Sequence, residues 1–209
     1  MMRARELRAV SRAEYTDLIL NIHYAKRWPS ITYAFGLFID RSLEGICTFG
    51  TPASAPLRSG LAGAAYAGKV LELNRLVLRQ NYPNDASWLI GASLRALKLK
   101  GSFIVISFAD MEQNHAGVVY QACGFSYRGL SAKRTDWKIR GQEHLHGQTI
   151  ADRYRGVPDR AAAIRADFGD DFYLSPRSRK HRYVRVLGNR PFVRDATAAL
   201  RYHEEPYPS

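Results

Sequence analysis

Apolar and polar positions recur in two rhythms along the chain, one helical and one alternating, and each predicts elements. Tyr15, Leu18, Ile19 and Ile22 fall at helical spacing behind Ser11, a residue type that caps helices, so residues 12–22 are expected to be helical. His23 to Ser30 carries Pro29 and reads as a loop. The apolar runs Tyr33–Ile39 and Leu43–Phe49 flank the short polar turn Asp40-Arg41-Ser42, a hairpin signature. Residues 52–68 are rich in Pro, Gly, Ala and Ser and read as a flexible excursion. Val70–Leu78 alternates Leu71 and Leu73 with Glu72, Asn74 and Arg75, which predicts a strand. After the turn at 81–84, residues 85–99 form an amphipathic helix, capped by Asn84 or Asp85.

Phe103–Phe108 reads as a short apolar strand of the kind found in sheets covered on both faces. Residues 115–123 follow as a short helix that Gly124 is placed to end. Helix, hairpin, strand, helix, strand, helix, strand implies an α/β fold: a mixed sheet with a right-handed crossover in its second half. Further on, a helix near 159–168, a strand pair at 172–175 and 182–187, and a last helix at 192–202 are expected. Residues 1–145 would hold the catalytic domain. Residues 146–209 would be a basic C-terminal extension, packed on it or continuous with it.

Charge changes this picture more than overall composition does. Lys and Arg number 31 against 19 Asp and Glu, a net charge of +12, which points to a polyanionic partner. Two cysteines, Cys47 and Cys123, are too few for a disulfide framework or a zinc ribbon and suit a reducing cytoplasm. Residues 1–12 are basic without a long apolar run, so a secretory signal is not expected. No stretch approaches the roughly 20 apolar residues needed to span a bilayer. The expectation is a cytoplasmic protein with no membrane partner.

The segment from Asn114 and His115 through Tyr120 to Gly124-Phe125 resembles the helix that GNAT-type acetyltransferases place after their fifth strand. In that family the tyrosine commonly protonates the leaving group, as a phenol held beside a departing anion can. Alternatively, Tyr120 is a half-buried aromatic on an apolar helix face. The Gly-rich loop that cradles the coenzyme A pyrophosphate has no counterpart, because Arg79-Gln80-Asn81-Tyr82-Pro83-Asn84-Asp85 contains no glycine. Acetyl-CoA is therefore the less favoured donor.

Ile22-His23-Tyr24, Glu72-Leu73-Asn74-Arg75-Leu76, Ser107-Phe108-Ala109-Asp110 and the Tyr120–Phe125 block, in that order, resemble the phage Mom proteins. The likeness covers roughly residues 15–145, including the tail Arg140 to His146. It implies a DNA-modification enzyme that converts adenine in double-stranded DNA to a carbamoylmethyl (glycinamide-like) derivative and so protects DNA from restriction. It also implies a phage or prophage origin within a bacterial host.

On this reading His23, Tyr24, Arg75, Asp110 and Tyr120 are the catalytic candidates. Glu72, Asn74, Ser107, Asn114 and His115 are candidates for holding substrate or donor. Asp110 lies just past a buried strand, where open α/β sheets place their ligand crevice, though it could equally be a cap or turn residue. His23 could be a loop histidine bonded to backbone. Arg75 could clamp a phosphate or a donor carbonyl, or pair with an acid on a solvated face. His23, Tyr24 and Asp110 are also donor types that iron accepts, although no paired-histidine spacing accompanies them.

Two basic runs are candidates for DNA contact. Arg128, Lys133, Arg134, Lys138 and Arg140 are interleaved with Tyr127 and Trp137; Arg179, Lys180 and Arg182 lie in a second run, residues 177–185, that lacks acids. Solvated charge is the plain alternative for both. The implied chemistry is base flipping followed by transfer from an activated glycyl ester, most simply glycyl-tRNA. The competing functions are an acetyl-CoA-dependent N-acetyltransferase on a protein or small amine, and a non-catalytic DNA-binding protein. The Asp/Asn-Pro-Pro-Tyr/Phe tetrad of adenine methyltransferases is not found.

Overall fold

The computed structural model describes residues 4–24, 26–113, 116–145 and 147–208. They form two compact units. One comprises Met1–Ala109, His115–Gly129 and His181–Ser209, and the other Asp110–Asn114 and Leu130–Lys180. Neither has a boundary at residue 145.

The first unit is built on a mixed sheet of seven strands. They are β1 (Arg5–Ala9), β2 (Tyr33–Ile39), β3 (Ser42–Gly50), β4 (Val70–Leu78), β5 (Phe103–Asp110), β6 (Ser126–Leu130) and β9 (Lys180–Leu187). Their order across the sheet is β1-β2-β3-β4-β5-β9-β6. The first four are antiparallel neighbours, and β4 to β5 is parallel. The hairpin, the alternating strand and the apolar strand thus form as their patterns predict, and the fold is mixed α/β. The expected pairing of 172–175 with 182–187 does not form: β9 joins this large sheet instead.

Both faces of the sheet are covered, which explains the continuous apolar character of β5. Val105 packs with Leu89, Ile90, Leu94 and Leu97 of α3 (Asp85–Lys98) on one face. Ile104 and Ile106 pack with Leu61, Ala62 and Ala196 on the other. Full burial of each such side chain is worth about 2 kcal/mol.

Most of residues 52–68, expected to be a flexible excursion, falls in α2 (Ala55–Ala62) and a 3-10 stretch, Ala64–Lys69. Ser54 caps α2 by accepting from the Leu57 amide at 3.3 Å. Pro56 falls in the first turn, where its missing N–H costs nothing. The helix expected over 12–22 is α1 (Arg12–Asp17) continued by a π-helical turn, Leu18–Ile22. Its buried Tyr15, Leu18 and Ile19 meet Phe38, Ile46 and Val77. The helix expected at 115–123 is α4 (Val118–Ala122), and the last helix is α7 (Arg190–Ala198).

Two irregularities in β4 shape its surroundings. Thr48 pairs with Arg75 and Phe49 with Leu73, so Asn74 is an extra residue, a β-bulge. Leu71 and Leu73 face the α3 side, yet beyond the bulge it is Leu76 and Leu78 that do so, while Val77 joins the α1 side. The parallel ladder to β5 runs only from Val70–Ile104 to Glu72–Ile106. Past it the Ser107 hydroxyl donates to the Leu73 carbonyl at 3.1 Å.

The second unit pairs β7 (Arg134–Ile139) antiparallel with β8 (Phe172–Arg177). With α5 (Gly147–Asp152) and α6 (Arg160–Phe168) it encloses a core of Ile139, Ile150, Ile164 and Phe172. Asp159 caps α6 by accepting from the Ala162 amide at 2.9 Å.

Candidate active site

The bulge in β4 is held from both sides. Asn74 Oδ1 accepts from the Thr48 hydroxyl at 2.6 Å, and Asn74 Nδ2 donates to the Ser30 carbonyl at 2.6 Å. This ties the segment after α1 to β4. At Gly50 a Cβ would sit 1.7 Å from the Ser30 oxygen, so only glycine admits that approach. Arg75 follows directly, and two of its nitrogens donate to main-chain carbonyls: Nη1 to Asn74 at 2.6 Å and Nη2 to Arg27 at 2.8 Å. Its buried Nε has no hydrogen-bond partner among the described residues. Burial pulls the guanidinium below its ordinary pKa, and Tyr24 and Glu72 pull it back up. It stays charged at neutral pH, because an arginine starts from above 12.

His23 closes the π-helical turn through its amide, which donates to the Leu18 carbonyl at 2.9 Å. The side chain is buried, and burial with the Arg75 charge pushes its pKa down to about 4. The imidazole is therefore neutral at pH 7. Tyr24 stacks on it with ring centroids 4.4 Å apart, yet is 61% exposed.

Tyr120 projects from α4 and packs on Phe125 and Tyr183 at 5.6 and 5.3 Å between centroids. Burial pushes its phenol up to about 12, opposed by a hydrogen bond with Ser107 and assisted by Cys47, Tyr24 and Glu72. It is protonated throughout the physiological range and can only donate. Tyr24 and Glu72 thus act electrostatically on both Arg75 and Tyr120, Arg75 acts on His23, and Ser107 hydrogen-bonds Tyr120, all within the first unit. Asn74 and Ser107 have internal hydrogen-bond partners and act as braces. Sequence reasoning missed Thr48, a buried hydroxyl inside an apolar strand, whose only signal was polarity in an apolar run.

Asp110 belongs to the second unit. Its carboxylate pairs with Lys180 at 2.8 Å and accepts from the Ser178 hydroxyl at 3.0 Å and the Glu112 amide at 3.2 Å. Burial works to raise its pKa, but Lys180, Glu112 and Ser178 outweigh it and hold the carboxyl below its usual range. Asn114 and His115 lie outside the described residues, as does His146 of the resembling tail. Among the described residues no three His, Cys, Asp or Glu side chains gather as a metal site.

The basic runs divide in two. Arg128 pairs with Glu204 at 3.0 Å. Arg182 is buried, donates to the Arg128 carbonyl and lies over Tyr202. Lys138 donates to the carbonyls of Glu143 and Leu145, and Arg179 donates to that of Ser131. Lys133, Arg134 and Arg140 remain exposed.

The turn before α3 does not suit a coenzyme A pyrophosphate. Pro83 has no N–H, the Asp85 amide donates to the Tyr82 carbonyl, and Asn84 adopts a left-handed φ of 67°. In the first turn of α3 the buried Asp85 carboxylate, held by Arg5 at 2.7 Å, supplies its own negative charge. A phosphate cradle needs converging amides and no resident anion.

Fold and site together define an α/β protein that carries a protonated phenol on a helix, a neutral imidazole at the end of a helical turn and a guanidinium on the sheet. Over residues 5–209 the chain matches the model of the Mom protein family, and it belongs to that family. It is 29% identical over 195 residues to the methylcarbamoylase Mom of Escherichia phage Mu, covering 91% of this chain and 78% of that one. Among solved structures it is similar to the ribosomal-protein-S18-alanine N-acetyltransferase of Escherichia coli. That match has a TM-score of 0.48 at 8% identity and covers 89% of this chain and 96% of that one. An N-acetyltransferase of Staphylococcus aureus Mu50 also has a TM-score of 0.48, at 15% identity, with 88% and 98% covered. No helix among the described residues is long and apolar enough to cross a membrane.

Proposed function

We propose that the protein is a transferase that modifies DNA, acting on the exocyclic amine of adenine and leaving a carbamoylmethyl (glycinamide-like) group that protects the DNA from restriction. The observation that carries this reading is that Tyr24 and Glu72 act electrostatically on both Tyr120, kept protonated, and Arg75, which has no carboxylate bonded to it among the described residues, while Arg75 acts on neutral His23. The name of the phage Mu relative, a methylcarbamoylase, supports the product class.

The amine of adenine is a weak nucleophile, and inside the duplex it is out of reach, so the base is flipped out of the stack. The exposed ring of Tyr24 offers a face on which it can stack. The donor is a glycyl ester of tRNA. The amine attacks the ester carbonyl, the oxyanion is stabilised by Arg75, and the nitrogen, made acidic by the attack, gives its proton to His23. Tyr120 protonates the departing ribose oxygen, and an amide and a free tRNA hydroxyl result. The glycine amine then attacks the ring carbon and displaces the amide nitrogen, which becomes the terminal carboxamide. Lys133, Arg134 and Arg140 supply phosphate contacts to the duplex.

Mass spectrometry of nucleosides from plasmid DNA incubated with the protein and isotope-labelled glycyl-tRNA tests this. A labelled glycinamide adduct on adenine is expected; an adduct without label removes the donor, and no adduct removes the function. The alternative, an N-acetyltransferase using acetyl-CoA, predicts tight coenzyme A binding by calorimetry, against which the α3 turn argues.

A further inference from the structure

A cleft of about 980 Å³ lies in the first unit between α3, the end of α4, β9 and α7. Five cations line it: Arg5, Arg95, Lys98, Arg128 and Arg185. Arg5 is paired with Asp85, and Arg128 with Glu204, a carboxylate on the same wall. Arg95, Lys98 and Arg185 form no ion pair among the described residues and are exposed.

These three line the same cleft from two elements. Arg95 and Lys98 are one turn apart at the end of α3. Arg185 reaches across from β9, where one nitrogen donates to the Gly124 carbonyl and so caps α4. Gly124 has a φ of +70°, and a Cβ there would come within 2.6 Å of that guanidinium. Cys123 lines the cleft with them, and its thiol is raised by burial and drawn back by the Gly91 backbone, Arg185 and Arg95. Like charges brought together without an acid repel one another, and an anion relieves that repulsion.

The cleft has the volume of a small-ligand pocket, too confined for a duplex but adequate for unpaired nucleotides. Trp88 on its wall supplies an aromatic surface on which a base can stack. It also adjoins the end of the helix that carries Tyr120.

We propose that this cleft binds the single-stranded 3′ end of the acyl-carrying RNA, with Arg95, Lys98 and Arg185 each meeting a phosphodiester. This rests on the proposed RNA-borne ester donor. The terminal ribose, whose oxygen Tyr120 protonates, then lies at one end of α4 and the preceding phosphates at the other.

The test is fluorescence anisotropy with a short labelled single-stranded RNA and, separately, a labelled DNA duplex, each titrated over a range of potassium chloride. The proteins are the full-length wild type, Arg95→Gln/Lys98→Gln and Arg185→Gln. Single-strand binding loses about 0.7 in the slope of log affinity against log salt for each phosphate no longer neutralised. The double variant is therefore expected to lose about 1.4 on RNA and nothing on duplex DNA, with an unchanged melting temperature. Because Arg185 also caps α4, the exposed α3 pair decides the matter if Arg185→Gln folds poorly. An unaltered RNA slope overturns the proposal, as does a loss confined to the duplex, or coenzyme A displacing the RNA from wild type but not from the double variant. Transfer of label from glycyl-tRNA to DNA is scored independently. Intact transfer with an unaltered slope sinks the cleft alone, whereas absent transfer by the wild type sinks the donor it serves.

Discussion

Arg75 and Lys180 are both cations on strands, and the chain treats them in opposite ways. Lys180 lies 2.8 Å from Asp110, which also takes hydrogen bonds from Ser178 and Glu112. Among the described residues Arg75 has main-chain carbonyls as hydrogen-bond partners, no bonded carboxylate though Glu72 acts on it, and a buried Nε left over. A cation in direct contact with a carboxylate has little field to offer a developing oxyanion, whereas one without such a contact in a partly buried place retains more of it. On the proposed function, this contrast puts the reaction chemistry on Arg75 and predicts a structural character for the Asp110 pair.

Four variants put that contrast at risk. Arg75→Gln should reduce adenine modification about a thousandfold, the upper loss seen when an oxyanion donor is removed, measured as adduct formed per minute. A loss under tenfold would reduce Arg75 to a structural tie. Tyr120→Phe keeps the ring packed on Phe125 and Tyr183 and should lower kcat about a hundredfold with KM unchanged. If KM rises instead, the phenol binds substrate and does not protonate.

Lys133→Gln, Arg134→Gln and Arg140→Gln combined should flatten the salt dependence of duplex binding by about 2.7, or about 0.9 for each phosphate left unneutralised. Asp110→Asn should change activity by less than about threefold and instead cost about 1 kcal/mol in chemical denaturation at pH 7. The native pKa of Asp110 is depressed, so its contribution is present above the unfolded carboxyl value of about 3.9. It is lost as pH falls through the lower native value. A large loss of activity in this variant would restore Asp110 to the reaction.

His23 adds a pH signature. Its pKa of about 4 in the folded state leaves no limb near 6.5 in the pH–rate profile, and activity should fall only as pH drops through about 4. The unfolded chain binds that proton first, so stability contributed by the neutral ring declines from about pH 6.5 downward. Thermal melting from pH 7.5 to 5 should show the decline while the rate stays level.

Much of the first unit was legible in the chain because its strongest patterns are burial patterns. α3 and β5 sit where amphipathic and uniformly apolar segments must sit. β1 was not read: Arg5-Glu6-Leu7-Arg8-Ala9 is a short edge strand carrying charge, the composition by which edges resist further pairing. α2 was obscured because Pro and Gly dominate the composition of its segment, although Pro56 lies where a helix tolerates it. Of the site, the residue types could be named, but Asn74 reads as a ligand-binding amide until Thr48 and Ser30 are seen to engage both its ends. Likewise the bond between Asp110 and Lys180 joins distant parts of the chain that no local spacing links.

The extra residue in β4 has a consequence of phase. Side chains of an unbroken strand alternate faces, so Arg75 would share the face of Leu71 and Leu73 and drive a guanidinium into the apolar layer beneath α3. Inserting Asn74 advances the count by one, so that a single strand lays down oil on one side before the step and a charge on the other side after it. Were Asn74 paired as an ordinary member of the strand, the composition would be untouched and the far half would turn inside out.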